Sequence, residues 1–310
     1  MLVFINQKSS GGAALKKWKG LEPALSKKIN CADIFFLNGN IPMQSYVKAA
    51  LCKNETEFIS AGGDGTLNML INSIVKFCPP EQLNKITIGA IGIGSSNDYY
   101  KPIEECVKLN GIPLKINFDR AGLRDVGKIT FKNDGIIKTN YFLINSSIGI
   151  TAEANYFFNK PDKILSSLKR KSTSAAILYA AARGIFNYEN FHAEIFSEES
   201  GKNNVKITNL GIVKNPNFSG NLNYGYNANY ENGLFNIHLC YEMNLQDRLE
   251  LFWSLNNGSF KKIKKAKSWS TRKIMIKANH KFAVEYDGEV ITSNSVEFSV
   301  LPKFLKICKC

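Results

Sequence analysis

The residues of this chain with the types and spacing to do chemistry are four aspartates and one glycine-rich loop. Residues 61 to 68 read AGGDGTLN, after the apolar Phe58 and Ile59 and before Met69, Leu70, Ile71 and Ile74, which recur at helical spacing. A strand ending at Ser60, a loop, and a helix starting near Thr66 present backbone N–H groups and the positive end of a helix to a phosphate chain. Gly62, Gly63 and Gly65 let the backbone approach that chain with no side chain in the way. Asp64 has a different task. A carboxylate beside phosphates repels them unless a cation stands between, so its presence points to Mg²⁺, held directly or through water. The competing reading is a plain strand-to-helix turn, in which Gly and Asp are common. Neither GxxxxGK[ST] nor GxGxxG occurs, so the commoner phosphate loops do not account for the string.

The other acids each carry a second reading. Asp98 follows Gly94-Ser95-Ser96-Asn97 and can serve as a helix N-cap. Asp125 can be an ordinary turn acid. Asp287-Gly288 is a hairpin signal between the runs 282 to 286 and 290 to 291.

The elements that must position these residues divide the chain in two. Short apolar runs at 2 to 6, 33 to 37, 57 to 60 and 86 to 92 alternate with helix-forming segments at 15 to 28, 43 to 51 and 66 to 77. That alternation predicts an α/β domain with a parallel sheet and helices on both faces. From about Asp125 the texture changes to period-two runs at 141 to 144, 192 to 196, 234 to 239, 273 to 277 and 296 to 300, which predict an antiparallel second domain. Two helices interrupt it, one over 163 to 186 and one over 244 to 257, where Leu245, Leu249, Phe252 and Trp253 share a face. The expected boundaries are 1–124 for the first domain, completed by 301–310, and 125–300 for the second.

A length of 310 residues favours two cores over one. The longest apolar stretch, 175 to 186, is short and broken by Arg183, so no membrane-spanning helix is expected. The start, MLVFINQK, has no basic leader before an apolar region. Seven cysteines without CxxC spacing and three scattered histidines favour a reduced, cytoplasmic chain without structural zinc. The net charge of +14 implies an acidic partner. Lys261, Lys262, Lys264, Lys265, Lys267, Arg272, Lys273 and Lys277 occur together with no acid among them, interleaved with Phe260, Ile263 and Trp269. Lysines and interfacial aromatics suit an anionic membrane surface, with Lys169, Arg170 and Lys171 as a second cluster; the alternatives are a solvated loop and genomic base bias. No nucleic-acid-reading module accompanies the charge, so nucleic acid is not expected as a partner.

The string GGDGTLN resembles the signature of the diacylglycerol kinase catalytic-domain family, whose GGDGT core is shared with the NAD kinases. Gly94 to Tyr99 resembles its G-[ST]-x-N-D-[FY] motif, Asp125-Val126-Gly127 its D-[ILV]-G motif, Tyr141 to Gly149 its F-x-N-x-x-S-x-G segment, and Tyr286-Asp287-Gly288-Glu289 its V-D-G-E turn. The resemblance implies a two-domain lipid kinase fold, with a Rossmann-like parallel sheet followed by an antiparallel β-sandwich. It implies ATP contacts from Asn6, Ser9, Ser10, Gly62, Gly63, Gly65, Thr66, Ser95 and Asn97, and Mg²⁺ organised by Asp64, Asp98 and Asp125. Asp287 would be the base acting on the acceptor hydroxyl, with Glu289 supporting it. Departures are Asn6-Gln7-Lys8-Ser9-Ser10-Gly11 where the family shows N-P-x-[SA]-G, Met69 for a glutamate, Thr151 for an aspartate, and Glu231-Asn232-Gly233 for the D-D-G turn that carries a structural Mg²⁺ in some bacterial members.

The reading that follows is an ATP-dependent kinase moving the γ-phosphate to the hydroxyl of diacylglycerol or a related lipid alcohol. Such an enzyme is expected to be cytoplasmic, peripherally associated with an anionic membrane, and open to forming a homodimer. The alternatives are an NAD kinase-like enzyme, although the G-x-L-G-F-L signature of those second domains is missing, and a noncatalytic nucleotide- or membrane-binding homologue.

Overall fold

The computed structural model describes all residues except 27, 28, 30, 31, 39–41, 96, 102–105, 134, 221 and 310, together with the side chains of residues 170, 173 and 174. The chain forms two compact units, one of Met1–Val126 with Pro302–Cys310 and one of Gly127–Leu301.

The first unit opens with β1 (Leu2–Asn6), α1 (Ala14–Leu25), β2 (Asp33–Leu37), α2 (Met43–Cys52), β3 (Glu57–Gly62), α3 (Asp64–Phe77) and β4 (Thr87–Gly92). Its strands lie in the order β2-β1-β3-β4, each neighbouring pair parallel, with Leu2 beside Asp33 and Phe58, and Phe58 beside Ile88. Both faces of β1, β3 and β4 are buried, which is why these runs are continuously apolar instead of alternating. Ala14, Trp18, Leu21 and Leu25 recur at helical spacing and pack α1 onto Val3, Ile5, Ile59 and Ile91. To the expected parallel strands the sheet adds an antiparallel part, which makes it mixed: β5 (Val107–Leu109) and β6 (Ile112–Lys115) form a hairpin, and β6 runs antiparallel to β4.

Two long strands pass from one unit into the other, β7 (Asn117–Asn133) and, at the far end of the chain, β17 (Glu289–Lys309). Between them the second unit holds β8 (Ile136–Phe142), β9 (Asn145–Gly149), α4 (Ile150–Asn159), α5 (Lys163–Lys171), α6 (Thr173–Asn187), β10 (Phe191–Ser197), β11 (Gly201–Val213), the short β12 (Asn217–Phe218) and β13 (Leu222–Asn223), β14 (Phe235–Tyr241), α7 (Leu245–Asn256), β15 (Ala266–Thr271) and β16 (Lys273–Tyr286). The helix expected over 163 to 186 is two helices. Ser172 is extended at φ −157°, ψ 115°, and caps the second by accepting the amide of Ala175.

Among the described pairings of this unit the ladders are antiparallel, running β15-β14-β11, then β9 and β10 side by side along β11, then β16 and β17. Phe142 at the end of β8 stacks on Phe235 of β14 at 5.7 Å and meets Phe298 of β17 edge-on at 6.2 Å. Distant members of one continuous ladder thus close over a shared core that includes Ile148, Ile195, Ile212, Ile237, Ile276 and Val284.

A second cluster of this unit, around Tyr224, Phe260 and Leu251, lies against a buried imidazole. His238 is 6% exposed, stacks on Tyr224 at 4.1 Å, and exchanges hydrogen bonds with Ser268 Oγ at 2.9 Å and Tyr226 OH at 3.2 Å. Burial pushes its pKa down to about 3. Below about pH 6.5 the unfolded chain takes a proton on this ring and the folded chain does not, so stability falls with pH across that window at about 1.4 kcal/mol per unit. Denaturant titrations of wild type and His238→Phe between pH 7 and pH 5 should show a shallower slope in the variant; parallel slopes would assign the acid limb to other groups.

Candidate active site

Parallel strands put their C-terminal ends on one edge, and the chain leaves β1 toward β2 on one side and reaches β3 on the other. The crevice at such a change of direction is where open α/β sheets hold ligands. The loops after β1, β3 and β4 all emerge there. Asn6 donates from Nδ2 to Thr66 Oγ1 at 3.0 Å, and Ser9 Oγ lies 3.5 Å from the same hydroxyl. Thr66 can turn back into this contact because residue 62 is glycine: a Cβ there would stand 2.6 Å from Thr66 Cβ. The loops after β3 and β4 touch backbone to backbone. The amide of Gly94 donates to Gly62 O at 3.0 Å, and a Cβ on Gly94 would reach within 2.6 Å of Gly63 N.

Ser10, Gly11 and Gly12 are left-handed, at φ 55°, 63° and 93°, which bends the first loop over the start of α1. Ser10 Oγ accepts from Lys17 Nζ at 2.9 Å, and the same ammonium reaches Gly94 O at 3.2 Å. Burial holds the Lys17 pKa below the ordinary lysine value. Sequence reasoning missed Lys17, because a lysine on an amphipathic helix reads as solvated; its place seven residues after Ser10 was the available signal. Asn97 is left-handed at φ 54°, donates to Gly92 O and Gly94 O, and keeps a buried Oδ1 with no partner among the described residues. Ser95 is exposed, Gly63 and Gly65 are half-buried, and Ser96 of the same motif lies outside the described residues.

Asp64 is the first residue of α3. Its Oδ2 accepts the amide of Asp98 at 2.9 Å and its Oδ1 that of Tyr99 at 3.1 Å, so the carboxylate stitches one loop to the other. Asp98 opens a short turn of helix, Asp98–Tyr100, and pairs with Lys101 Nζ at 2.7 Å. Asp125, 2% exposed, accepts the amide of Lys303 at 3.0 Å. Among the described residues no three acidic, histidine or cysteine side chains gather as a metal set. Asp64 thus meets two amides, Asp98 a lysine and Asp125 an amide. The chemistry fits phosphate better. The N-cap of α3, Gly63, supplies no side-chain cap, which leaves the helix end to an anion, and Lys17 brings a cation to the same loops.

In the second unit, Asp287 and Gly288 form the tight turn between β16 and β17, at φ 45° and 89°, with Tyr286 opposite Glu289. The hairpin reading and the special acid are therefore one feature. Asp287 is 4% exposed and receives three consecutive amides, Leu143 at 2.7 Å, Ile144 at 2.9 Å and Asn145 at 3.2 Å, while its own amide donates to Asn145 O. The segment 141 to 149 and the D-G-E turn are thus brought together as the sequence motifs imply. Glu289 is exposed at the start of β17, whereas Glu285, missed at the sequence level, is buried: it accepts from Ser147 Oγ at 2.9 Å and from the amide of Gly288 at 2.7 Å. Glu285 and not Glu289 braces the turn.

Ile144 O in turn accepts the amides of Lys214 and Asn215, both at 2.9 Å. The Lys214 side chain is 1% exposed, and its ammonium donates to Asn232 Oδ1 at 3.0 Å and Leu234 O at 2.9 Å. The turn Glu231-Asn232-Gly233 therefore meets a cation belonging to the chain itself. The acceptors present there do not fit an added Mg²⁺.

The basic stretch departs from expectation. Phe260 and Ile263 are buried at 2% and 7%, packed with Val213, Tyr224 and Leu251, and Trp269 is half-buried against the β core. A short helical turn at Phe260–Lys262 sends these side chains inward and leaves Lys261, Lys262 and Lys264 exposed. Lys265 bonds Asp247 Oδ2 at 2.7 Å. In the other cluster Lys169 donates to Phe158 O, Lys171 is exposed, and the Arg170 side chain lies outside the described residues.

A glycine loop at the edge of a parallel sheet and an antiparallel second unit are the parts to compare with known proteins, and membership of a kinase family makes the chain a phosphotransferase by class. The chain belongs to the diacylglycerol kinase catalytic-domain family, in its bacterial lipid kinase branch: it matches the diacylglycerol kinase catalytic domain over residues 1–119 and the YegS C-terminal NAD kinase beta sandwich-like domain over residues 147–309. A Shewanella frigidimarina (strain NCIMB 400) protein described as "Probable lipid kinase YegS-like" is 23% identical over 299 residues, which cover 93% of this chain and 89% of that one. The crystal structure of a diacylglycerol kinase from Bacillus anthracis str. Sterne superposes with a TM-score of 0.66 at 15% identity, covering 100% of this chain and 96% of the other. At that identity the likeness is one of fold. Membership of a kinase family implies the use of ATP.

Proposed function

We propose that this protein is an ATP-dependent lipid kinase that moves the γ-phosphate to the hydroxyl of diacylglycerol or a related lipid alcohol. The observation that carries the reading is the meeting of Asn6, Ser9, Thr66 and Lys17 with the uncapped start of α3 at one sheet edge. The α3 amides and the Lys17 ammonium hold the phosphates, and Asp64 keeps the two glycine loops in register. Asp287 takes the proton of the attacking hydroxyl as its oxygen bonds the γ-phosphorus and the bond to ADP breaks. Asp64, Asp98 and Asp125 would organise a Mg²⁺ ion, which would offset the charge of the phosphates.

The test is transfer of label from γ-labelled ATP to a mixed lipid panel with NAD included, for wild type and Asp64→Asn. Label should enter a lipid alcohol, and Asp64→Asn, whose amide nitrogen faces a backbone N–H, should lower turnover about a hundredfold through loop misplacement. Label in NAD alone would establish the NAD kinase reading. No transfer to any acceptor would establish a noncatalytic homologue.

A further inference from the structure

Helix α7 carries two apolar arcs, and the structure buries only one of them. Leu251 and Leu255 point inward together with Arg248, which donates to Ile185 O at 3.2 Å, Tyr188 O at 2.7 Å and Asn190 Oδ1 at 3.0 Å. Leu245, Leu249 and Trp253, at successive intervals of four residues, remain 43%, 46% and 70% exposed. Phe186, the neighbour of Ile185 at the end of α6, is 61% exposed. The helix is held firmly: a capping box joins Asn244 and Asp247, and Arg248 ties its first turns to the end of α6. An apolar stripe on a rigid, well-capped helix is a surface feature and not a frayed end.

The chain after α7 turns back along it. The amide of Ser259 donates to Ser254 O at 2.8 Å, and Lys265 Nζ reaches Asp247 in the first turn. Phe260 and Ile263 anchor this return segment in the core, so Lys261, Lys262 and Lys264 form an exposed row beside the helix. No aspartate or glutamate occurs from Leu251 to Val284.

We infer that the exposed stripe of α7 and the adjoining lysine row are the surface on which the protein lies against an anionic lipid bilayer. Leucines and a tryptophan enter the boundary between headgroups and acyl chains, while lysines meet phosphate headgroups. A second copy of this chain would bring the same lysines against themselves, and like charges oppose that contact. An anionic polymer would engage the lysines and leave the stripe in water. The inference deepens the lipid-kinase reading and rests on it for the presence of a membrane-borne acceptor.

The experiment is cosedimentation with vesicles of phosphatidylcholine and phosphatidylglycerol, beside vesicles of phosphatidylcholine alone. Wild type should bind the anionic vesicles, more weakly as salt is raised. Lys261→Gln/Lys262→Gln/Lys264→Gln should lose up to about a hundredfold in partitioning at low salt. Leu249→Ser/Trp253→Ser should lose about tenfold at any salt. Melting temperatures should match wild type, because the replaced side chains are exposed. Tryptophan emission should shift to the blue on binding, and Trp253→Phe should remove most of that shift, since Trp18 is 1% exposed and Trp269 is half-buried against the core. Wild-type binding retained in full by the serine variant would overturn the assignment of α7, as would an absence of binding. Binding without transfer to any lipid would sink the kinase reading and leave this surface standing, whereas transfer to a short-chain soluble acceptor without vesicle binding would do the reverse.

Discussion

Asp287→Asn should lower the melting temperature of the protein as well as stop phosphoryl transfer. An exposed acid is commonly replaced at little cost to stability, but Asp287 is 4% exposed and receives three backbone amides on its two oxygens. The carboxamide turns an NH₂ group toward at least one N–H, so a buried donor faces a buried donor and an amide loses its partner. Each unsatisfied group of that kind costs about 1 to 3 kcal/mol, more where a charge was the acceptor. A total near 3 kcal/mol corresponds to roughly 6 to 12 °C in a domain of this size. Glu289→Gln, at an exposed position, should leave the midpoint within about 1 °C. Scanning calorimetry of the two variants beside wild type decides the matter. An unchanged midpoint for Asp287→Asn would mean that the 143 to 145 loop does not depend on this carboxylate, and its role would then be confined to chemistry.

Gly94→Ala is expected to abolish ATP binding more completely than any single side-chain removal in the first unit. The added methyl would meet Gly63 Cα and N, backbone atoms that no side-chain rotation can move aside. The loops must separate, which breaks the bond from Gly94 N to Gly62 O and shifts the Asp64 contacts to Asp98 and Tyr99. A displacement near 1 Å is enough to cost about a hundredfold in kcat/KM. Gly20→Ala is the control: its Cβ would meet nothing, and on α1 it should be neutral or stabilise by up to about 1 kcal/mol. Thermal shift on ATP addition should vanish for Gly94→Ala and persist for Gly20→Ala. Equal shifts would show that the glycine loops do not hold the nucleotide.

The local parts of this structure were legible in the sequence. Strands β1 and β3 fall on the runs 2 to 6 and 57 to 60, because a buried parallel strand writes itself as an uninterrupted apolar run, and α3 follows the glycine loop as the motif requires. The partners of the acids were not legible. Asp64 bonds amides thirty-four and thirty-five residues away and Asp287 bonds amides more than one hundred and forty away, and amides carry no residue identity to read. Lys17 and Lys214 escaped notice for the opposite reason, since lysine announces solvent and both are drawn inward by carbonyl and amide oxygens. The apolar residues of α7 were visible, and sequence placed Leu245, Leu249, Phe252 and Trp253 on one face without saying which way it turns, while the neighbours supplied by β13 and α6 turn Arg248, Leu251 and Leu255 inward. Phe260 and Ile263 show the same limit: alternation with lysine fits a membrane surface and a core edge equally well.

The last strand, β17, bears on how the protein is born. Lys306 and Ile307 pair with Thr87 and Ile88 of β4, and Leu305, Ile307 and Cys308 lie in the interior of the first unit. The ribosome must therefore deliver the whole second unit before the segment that finishes the first exists. Until then one side of β4 near its start lacks that partner, and the nascent half must wait, shielded or loosely collapsed, for residues more than two hundred positions downstream. Completion of the first unit in this sense follows synthesis of the second, and its β4 ladder cannot close on a chain that stops short of residue 306.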